Sequence, residues 1–224
     1  MTALPVLRID FVSDIACPWC VVGFAGLRTA AERLADSLRV EIHLQPFELE
    51  PDMPFDGADA AVHLMRKYGM DEAQLEVNRA ALRERAAAAG VTIRHGADAR
   101  VWNTFDAHRL LHWAGQQDND KALALQQQLF DAYHVTHENV ADHEVLVRLA
   151  GAAGLDAQAA RTMLAGTDHT DEVRERERWA HASGIHSVPA VIIDERYRVS
   201  GGQPADVFEQ ALAQVAAQAS TERR

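Results

Sequence analysis

Apolar and polar positions change their period twice along this chain. Leu7 to Ser13 holds apolar residues of high strand propensity and predicts a first strand, with Asp14 to Ala16 as the turn after it. Cys20, Phe24, Leu27, Ala31 and Leu34 then recur at steps of four, three, four and three, the apolar stripe of an amphipathic helix. Val40 to Phe47 alternates apolar and polar, which predicts a second strand and a β-α-β opening with a parallel pair.

From about Ala58 to Ser183 the period is helical. The candidate helices are Ala58–Tyr68, Asp71–Ala89, Val101–Gln116, Asp120–Val135, His143–Ala153, Ala157–Leu164 and Asp171–Ala182. Gly69, Gly90, Gly115, Gly154 and Gly184 fall at or near their ends, and Asp71 and Asp142 suit N-caps. Strand character returns in the short apolar segment Ser187–Asp194 and in Tyr197–Ser200, joined by a tight turn into an antiparallel hairpin. Gly201-Gly202 ends the hairpin. Gln203 to Ala217 predicts a closing helix with Val207, Leu212 and Val215 inward, and Ser220 to Arg224 reads as a frayed tail. The expected organisation is an α/β unit made of residues 1–57 and 184–224, with residues 58–183 inserted as a helical domain.

Composition narrows the class of partner. At 224 residues, with 48% hydrophobic and 25% charged, the chain has ample core for an ordinary globular protein. A net charge of −11 argues against nucleic acid and anionic membrane, which both need a basic footprint. The sign-alternating run Arg174-Glu175-Arg176-Glu177-Arg178 reads as a solvated helix face. The segment before the first strand has no basic region, long apolar run or small-residue cleavage site, so a cytoplasmic location is expected.

The chemistry is concentrated in Cys17-Pro18-Trp19-Cys20, which holds both cysteines of the chain at the junction of strand and helix. Thiolate is the form that attacks disulfides, and a helix N-terminus favours it through unpaired N–H groups and the macrodipole. Pro18 suits a first turn, where its missing N–H costs nothing, so the helix is expected to start at Cys17. On that geometry Cys17 is the exposed, attacking sulfur, and Cys20, on the apolar stripe, resolves the mixed disulfide. A zinc site needs four ligands, and neither a second Cys pair nor a His cluster accompanies the motif, so no metal is expected. A structural disulfide closing so small a loop would remove little unfolded-state entropy. Redox chemistry is the favoured reading.

Further stretches carry a family resemblance. Asp10 to Cys20, Asn103-Thr104 with Ala107-His108-Arg109-Leu110, Leu129 to Tyr133, Gly184 to Pro189 and Ser200 to Pro204 together resemble the DsbA-type oxidoreductases, more narrowly their FrnE-like branch. The resemblance implies a thioredoxin fold (β-α-β, a large all-helical insertion, β-β-α) and thiol–disulfide exchange at Cys17 and Cys20. It also implies a cis peptide bond at Pro189, which sets the Val188 backbone against Cys17 and offers extended substrate a pairing edge. Trp19 would present an apolar surface to substrate. Where relatives commonly carry Gly-Val-Pro, this chain has Ser187 preceded by His186, and the second Cys pair of some relatives is absent.

Several side chains stay open between two readings. Asp10 is either a buried proton relay near Cys20 or a solvent-facing strand residue, because strands alternate faces. Asn103 and His108, placed with Trp102, Phe105 and Trp113 on one predicted helix, either face the groove over Cys17 as a substrate region or are ordinary polar positions. His186 either tunes the site or is an exposed loop residue. The implied partners are a disulfide-containing protein or small molecule and an unidentified recycling reductant or oxidant. No bound cofactor is expected, glutathione entering only as a candidate co-substrate. Two rival functions remain: a glutathione-dependent isomerase or transferase of the hydroxychromene-carboxylate or kappa type, whose members usually carry Ser at the Cys17 position, and a non-redox peptide-binding holdase.

Overall fold

The computed structural model describes residues 4–94, 96 and 98–222, with side chains to Ala219. Strand β1 (Val6–Ser13) lies between β2 (Arg39–Pro46), its parallel partner, and β5 (Ala190–Ile193), its antiparallel one. Strand β6 (Tyr197–Ser200) completes a four-stranded sheet of order β2-β1-β5-β6. Ile9 stands opposite Ile42 on one side and Ile193 on the other.

Alternation sends Leu7, Ile9 and Phe11 to one face of the sheet and Asp10 and Val12 to the other. The first face is covered by helix α1 (Pro18–Arg33) and the closing helix α9 (Ala205–Glu222), through Phe24, Leu27, Phe208, Leu212 and Val215. The Phe11 and Phe24 rings meet there at 5.4 Å. The second face is covered by α8 (Thr170–Ala182), where Ala180 joins Val12, Phe47, Ile185 and Ile192. Burial on both faces is why β1 is almost continuously buried from Ile9 to Ser13.

Between β2 and α8 the chain forms α2 (Ala60–Tyr68), α3 (Glu72–Ala88), α4 (Phe105–Gln117), α5 (Asn119–His134), α6 (His143–Ala152) and α7 (Ala157–Ala165). Asp59, Asp71, Asp118, Asp142 and Asp156 each cap the helix that follows, a contact that stabilises a helix by about 1 kcal/mol. Leu110, Leu125, Leu129, Leu146 and Val147 build a helical core that also takes in Ile15, from the turn after β1. Leu82, Ala86 and Phe130 instead join the core under α1, and Phe130 meets Phe24 edge-on at 5.9 Å. The insertion therefore packs on both sides of the segment that carries the cysteines.

The structure corrects the sequence reading in four places. Helix α4 starts at Phe105 rather than Val101, because Arg100–Val101 (β4) pairs with Ala58–Asp59 (β3) in a two-residue antiparallel ladder, so the insertion is not wholly helical. On α1 the buried residue after Leu27 is Ala30 rather than Ala31, and Leu34 is the C-cap rather than part of the helix. On α9 the inward stripe runs through Phe208, Leu212 and Val215, and Val207, one position off it, is exposed. Ser220 to Glu222 continue α9 rather than fraying, while Arg223 and Arg224 lie outside the described residues.

Candidate active site

The turn between β1 and α1 is held by its own backbone and by two distant elements. Asp14 Oδ1 accepts the Ala16 N–H at 3.2 Å and Oδ2 accepts the Leu49 N–H at 2.7 Å, while the Asp14 carbonyl accepts the Cys17 N–H at 3.1 Å. The His134 ring, at the end of α5, meets the Ile15 carbonyl at 2.8 Å. Cys17 is thereby fixed as the N-cap of α1 in extended conformation, with Pro18 at the first helical position. Its carbonyl accepts the Cys20 N–H at 3.0 Å, which sets the two cysteines one helical turn apart.

Cys17 is not exposed, as the motif geometry alone suggested: it is 4% accessible, and Cys20 is 0%. The cover is the segment before β5. The Val188–Pro189 peptide bond is cis, and the Val188 carbonyl stands 3.6 Å from Cys17 Sγ. Pro189 is held in turn by the Gly201 N–H on its carbonyl at 2.8 Å. Gly23 and Gly202 allow this packing, since a Cβ on Gly23 would meet Pro189 Cγ at 2.9 Å and one on Gly202 would meet the Trp19 carbonyl at 2.7 Å. The exposed member of the motif is Trp19, at 40%. Both cysteines are free thiols. Burial, then the neighbouring Cys17 sulfur, hold the Cys20 thiol well above its usual range.

Behind the cysteines lies a buried polar cluster. Asp14 faces His108 of α4, Nε2 to Oδ1 at 3.4 Å, which is ion-pair distance without hydrogen-bond geometry. Burial alone would raise the Asp14 carboxyl, but the facing imidazole and the Leu49 and Ala16 N–H groups outweigh it and hold it below the usual range. Burial likewise works against a charged His108, yet Asp14, then Glu48 and Glu177, keep it above 6.5. Glu48, after β2, bonds Arg174 of α8, whose guanidinium also donates to Glu177 at 2.8 Å and lies 3.8 Å from the centre of the Phe105 ring. Burial and the Glu177 charge push Glu48 up to about 7, against the pull of His108 and Arg174.

The other sequence candidates fall elsewhere. Asp10 cannot serve Cys20: it sits on the opposite face of the sheet, where it accepts from Gln45 Nε2 at 2.7 Å and pairs with Arg8 at 3.0 Å. Asn103 is buried before α4 rather than on it; it donates to the Met53 carbonyl at 2.8 Å and accepts the Phe105 N–H at 3.0 Å, so it anchors a loop and starts a helix. His108 points at Asp14, not into a groove over Cys17. His186 is exposed, its ring 6.1 Å from that of His181. Trp113 is in the helical core, and the Trp102 N–H donates to the Tyr133 hydroxyl at 3.3 Å. Asp14, Glu48 and His134 were not singled out from the sequence, although Asp14, an Asx-turn residue just before the motif, carried a readable signal. Among the described residues, no group of three or more His, Cys, Asp or Glu is arranged to hold a metal ion.

A free dithiol on the first turn of a helix, facing a cis-proline segment across one mixed sheet, defines the thioredoxin class. Residues 8–213 match the model of the DSBA-like thioredoxin domain, and the chain belongs to that family, whose members are generally thiol–disulfide oxidoreductases. It is similar to a probable DsbA oxidoreductase from Streptomyces coelicolor, with 38% identity and a TM-score of 0.84 over 93% of this chain and 89% of that one. It is also similar to YwbO of Bacillus subtilis, 26% identical over 207 residues, which are 92% of this chain and 96% of that protein. The fold alone is shared with the cytosolic disulfide reductase DsbM from Pseudomonas aeruginosa, at 19% identity and a TM-score of 0.65 over 93% of this chain and 98% of that one.

Proposed function

We propose that this protein is a thiol–disulfide oxidoreductase that works through the Cys17–Cys20 pair on protein or small-molecule disulfides. The observation that carries the reading is the asymmetry of the two thiols. Cys17 caps α1 with its sulfur against the Val188 carbonyl, and Cys20 is sealed one turn behind it with its proton firmly held. Such a pair divides the labour of exchange. Cys17 thiolate attacks a substrate disulfide and expels one sulfur; Cys20 then loses its proton and attacks Cys17, releasing the other and leaving the Cys17–Cys20 disulfide. Exposed Trp19 gives the substrate an apolar surface, and the backbone at Val188 gives it an edge to pair with. Glutathione is a candidate recycling partner or co-substrate, since a structure of the DsbM relative holds it. With both cysteines committed to the motif the chain has none for a structural disulfide, a usage that suits a reducing compartment, and we propose the cytoplasm as its place of action.

The test is to equilibrate the protein with glutathione redox buffers and quantify free thiol. A reversible two-electron transition with a defined midpoint is expected, absent from a Cys17→Ser variant. No transition in the native chain would overturn the reading and promote a glutathione-dependent isomerase, whose fold the chain shares, or a non-redox binder.

A further inference from the structure

Ionising Cys20 puts a second negative charge where one already sits. The sulfur is fully buried; the Asp14 backbone favours a thiolate there, while the Asp14 carboxylate opposes one by its charge. That carboxylate is 1% accessible, and apart from His108 it is bonded by two neutral backbone donors. Among the described residues, His108 is the cation that faces it. Its Nε2 is buried with no hydrogen-bond partner, so what it offers Asp14 is charge.

We propose that His108, a residue of the insertion, is the counter-charge of the resolving step: paired with His108, Asp14 presents Cys20 with a nearly neutral group, and without it a bare carboxylate. This rests on the dithiol reading above. In the step, Cys20 loses its proton to solvent and its thiolate attacks Cys17 Sγ. The Cys17–Cys20 bond forms, the bond from Cys17 to the substrate sulfur breaks, and the substrate leaves as a thiolate that takes a proton from water. His108 touches none of the reacting atoms and is a positioning residue.

The groups that face His108 support the assignment. Asp14 comes from the β1–α1 turn, Glu48 from the segment after β2, and Glu177 with its partner Arg174 from α8. The small cavity beside the ring is lined by Gln126 of α5, which is neutral, and by His112, one turn further along α4, whose burial favours its neutral form. Asp14 and Glu177, joined by Glu48 as it ionises near 7, outnumber the one guanidinium and favour an imidazolium at this point, and burial on every side leaves the charge unscreened by solvent. A role in packing alone would need no acid on three sides.

The two chemical steps separate in the reaction with 5,5′-dithiobis(2-nitrobenzoate). Attack by Cys17 releases one thionitrobenzoate, and resolution by Cys20 releases the second. In H108Q the first phase is expected to stay near the native rate and the second to slow by about tenfold, the equivalent of one pKa unit on Cys20. In D14N/H108Q, where carboxylate and counter-charge are both gone, the second phase should recover. The native second phase should climb with pH and flatten where His108 discharges, and the flattening should vanish in H108Q. In E48Q, which removes one acid that holds the imidazolium, it should move to lower pH. A second phase unchanged in H108Q, or slowed equally in H108Q and D14N/H108Q, overturns the inference. Should H108Q lose its first phase and so fail to fold, an E48Q profile that superimposes on the native one overturns it. A native protein with no second phase at all refutes the dithiol reading instead.

Discussion

Gly23, one turn into α1, has an Ala substitution that pits two effects of known size against each other. In a helix interior Ala is favoured over Gly by roughly 1 kcal/mol. A Cβ at this position, however, would stand 2.9 Å from Pro189 Cγ and 3.3 Å from Gly202 Cα. Neither neighbour can swing aside, since one is a ring atom closed onto its own backbone and the other is backbone. Carbon–carbon contacts settle near roughly 3.5 Å or beyond, so the proline segment has to retreat by about half an ångström or more. Overpacking of this kind costs about 1–3 kcal/mol, so sterics outweighs propensity and Gly23→Ala should be destabilised by up to about 2 kcal/mol. The segment that retreats carries the Val188 carbonyl, now 3.6 Å from Cys17 Sγ. Misplacement of about 1 Å in a reacting site can cost around 100-fold, so a fall in disulfide exchange of about tenfold is expected. The control is Gly115→Ala. That glycine lies inside α4 with nothing within 4 Å of the added carbon, and the substitution should stabilise by up to about 1 kcal/mol. Thermal melts resolve the two, since 1 kcal/mol moves Tm by about 2–4 °C in a chain of this size. If Gly23→Ala melts higher than the native protein, as Gly115→Ala should, and keeps its exchange rate, the close seating of Pro189 on α1 is refuted.

Two further expectations concern buried charge. The Arg109 guanidinium donates to the Met163, Gly166 and Asp168 carbonyls and to the Asp106 carboxylate, a spread that one ammonium group cannot cover, so Arg109→Lys should lose about 2–4 kcal/mol in urea denaturation. A loss below about 0.5 kcal/mol would show the clamp to be idle. Glu48, pushed from 4.5 to about 7, makes stability fall as pH rises: below 4.5 the group is neutral in both states, and between 4.5 and 7 the folded protein keeps a proton that the unfolded chain releases. Above 7 the loss is complete, on the order of 3 kcal/mol. His108, held above 6.5, adds to the decline as pH passes its folded value. Asp14 acts in the opposite sense and only in acid, where its contribution is lost as pH falls through its depressed value, so measurements from pH 5 to 8 avoid it. Urea denaturation across that range should show the decline in the native protein and a shallower one in Glu48→Gln; equal slopes would sink the assignment.

Most of the architecture was legible because the period of burial is written along the chain. The stripe through Cys20, Phe24 and Leu27 and the caps at Asp71 and Asp142 stand where the pattern placed them. The misreadings arose where pattern carries no information. β1 is buried on both faces, so no alternation in its sequence says which side α1 covers, and Asp10 was open to either. Asp14, His108, Glu48 and Glu177 come from four separate segments, and a buried polar residue looks like a surface one until its partners are known. Val207 and Phe208 are adjacent apolar residues, and only the start of α9 at Ala205 decides which faces in.

The segment that covers Cys17 arrives late in the chain. Cys17 and Val188 are 171 residues apart, and β5 cannot join β1 until the whole insertion has closed the loop between them. During synthesis the dithiol is therefore made early and stays uncovered while more than a hundred further residues emerge. An unfinished or misfolded copy carries two thiols that any disulfide can meet from any side. Selective exchange is thus a property of the completed topology, and it reports on native folding of both ends of the chain at once.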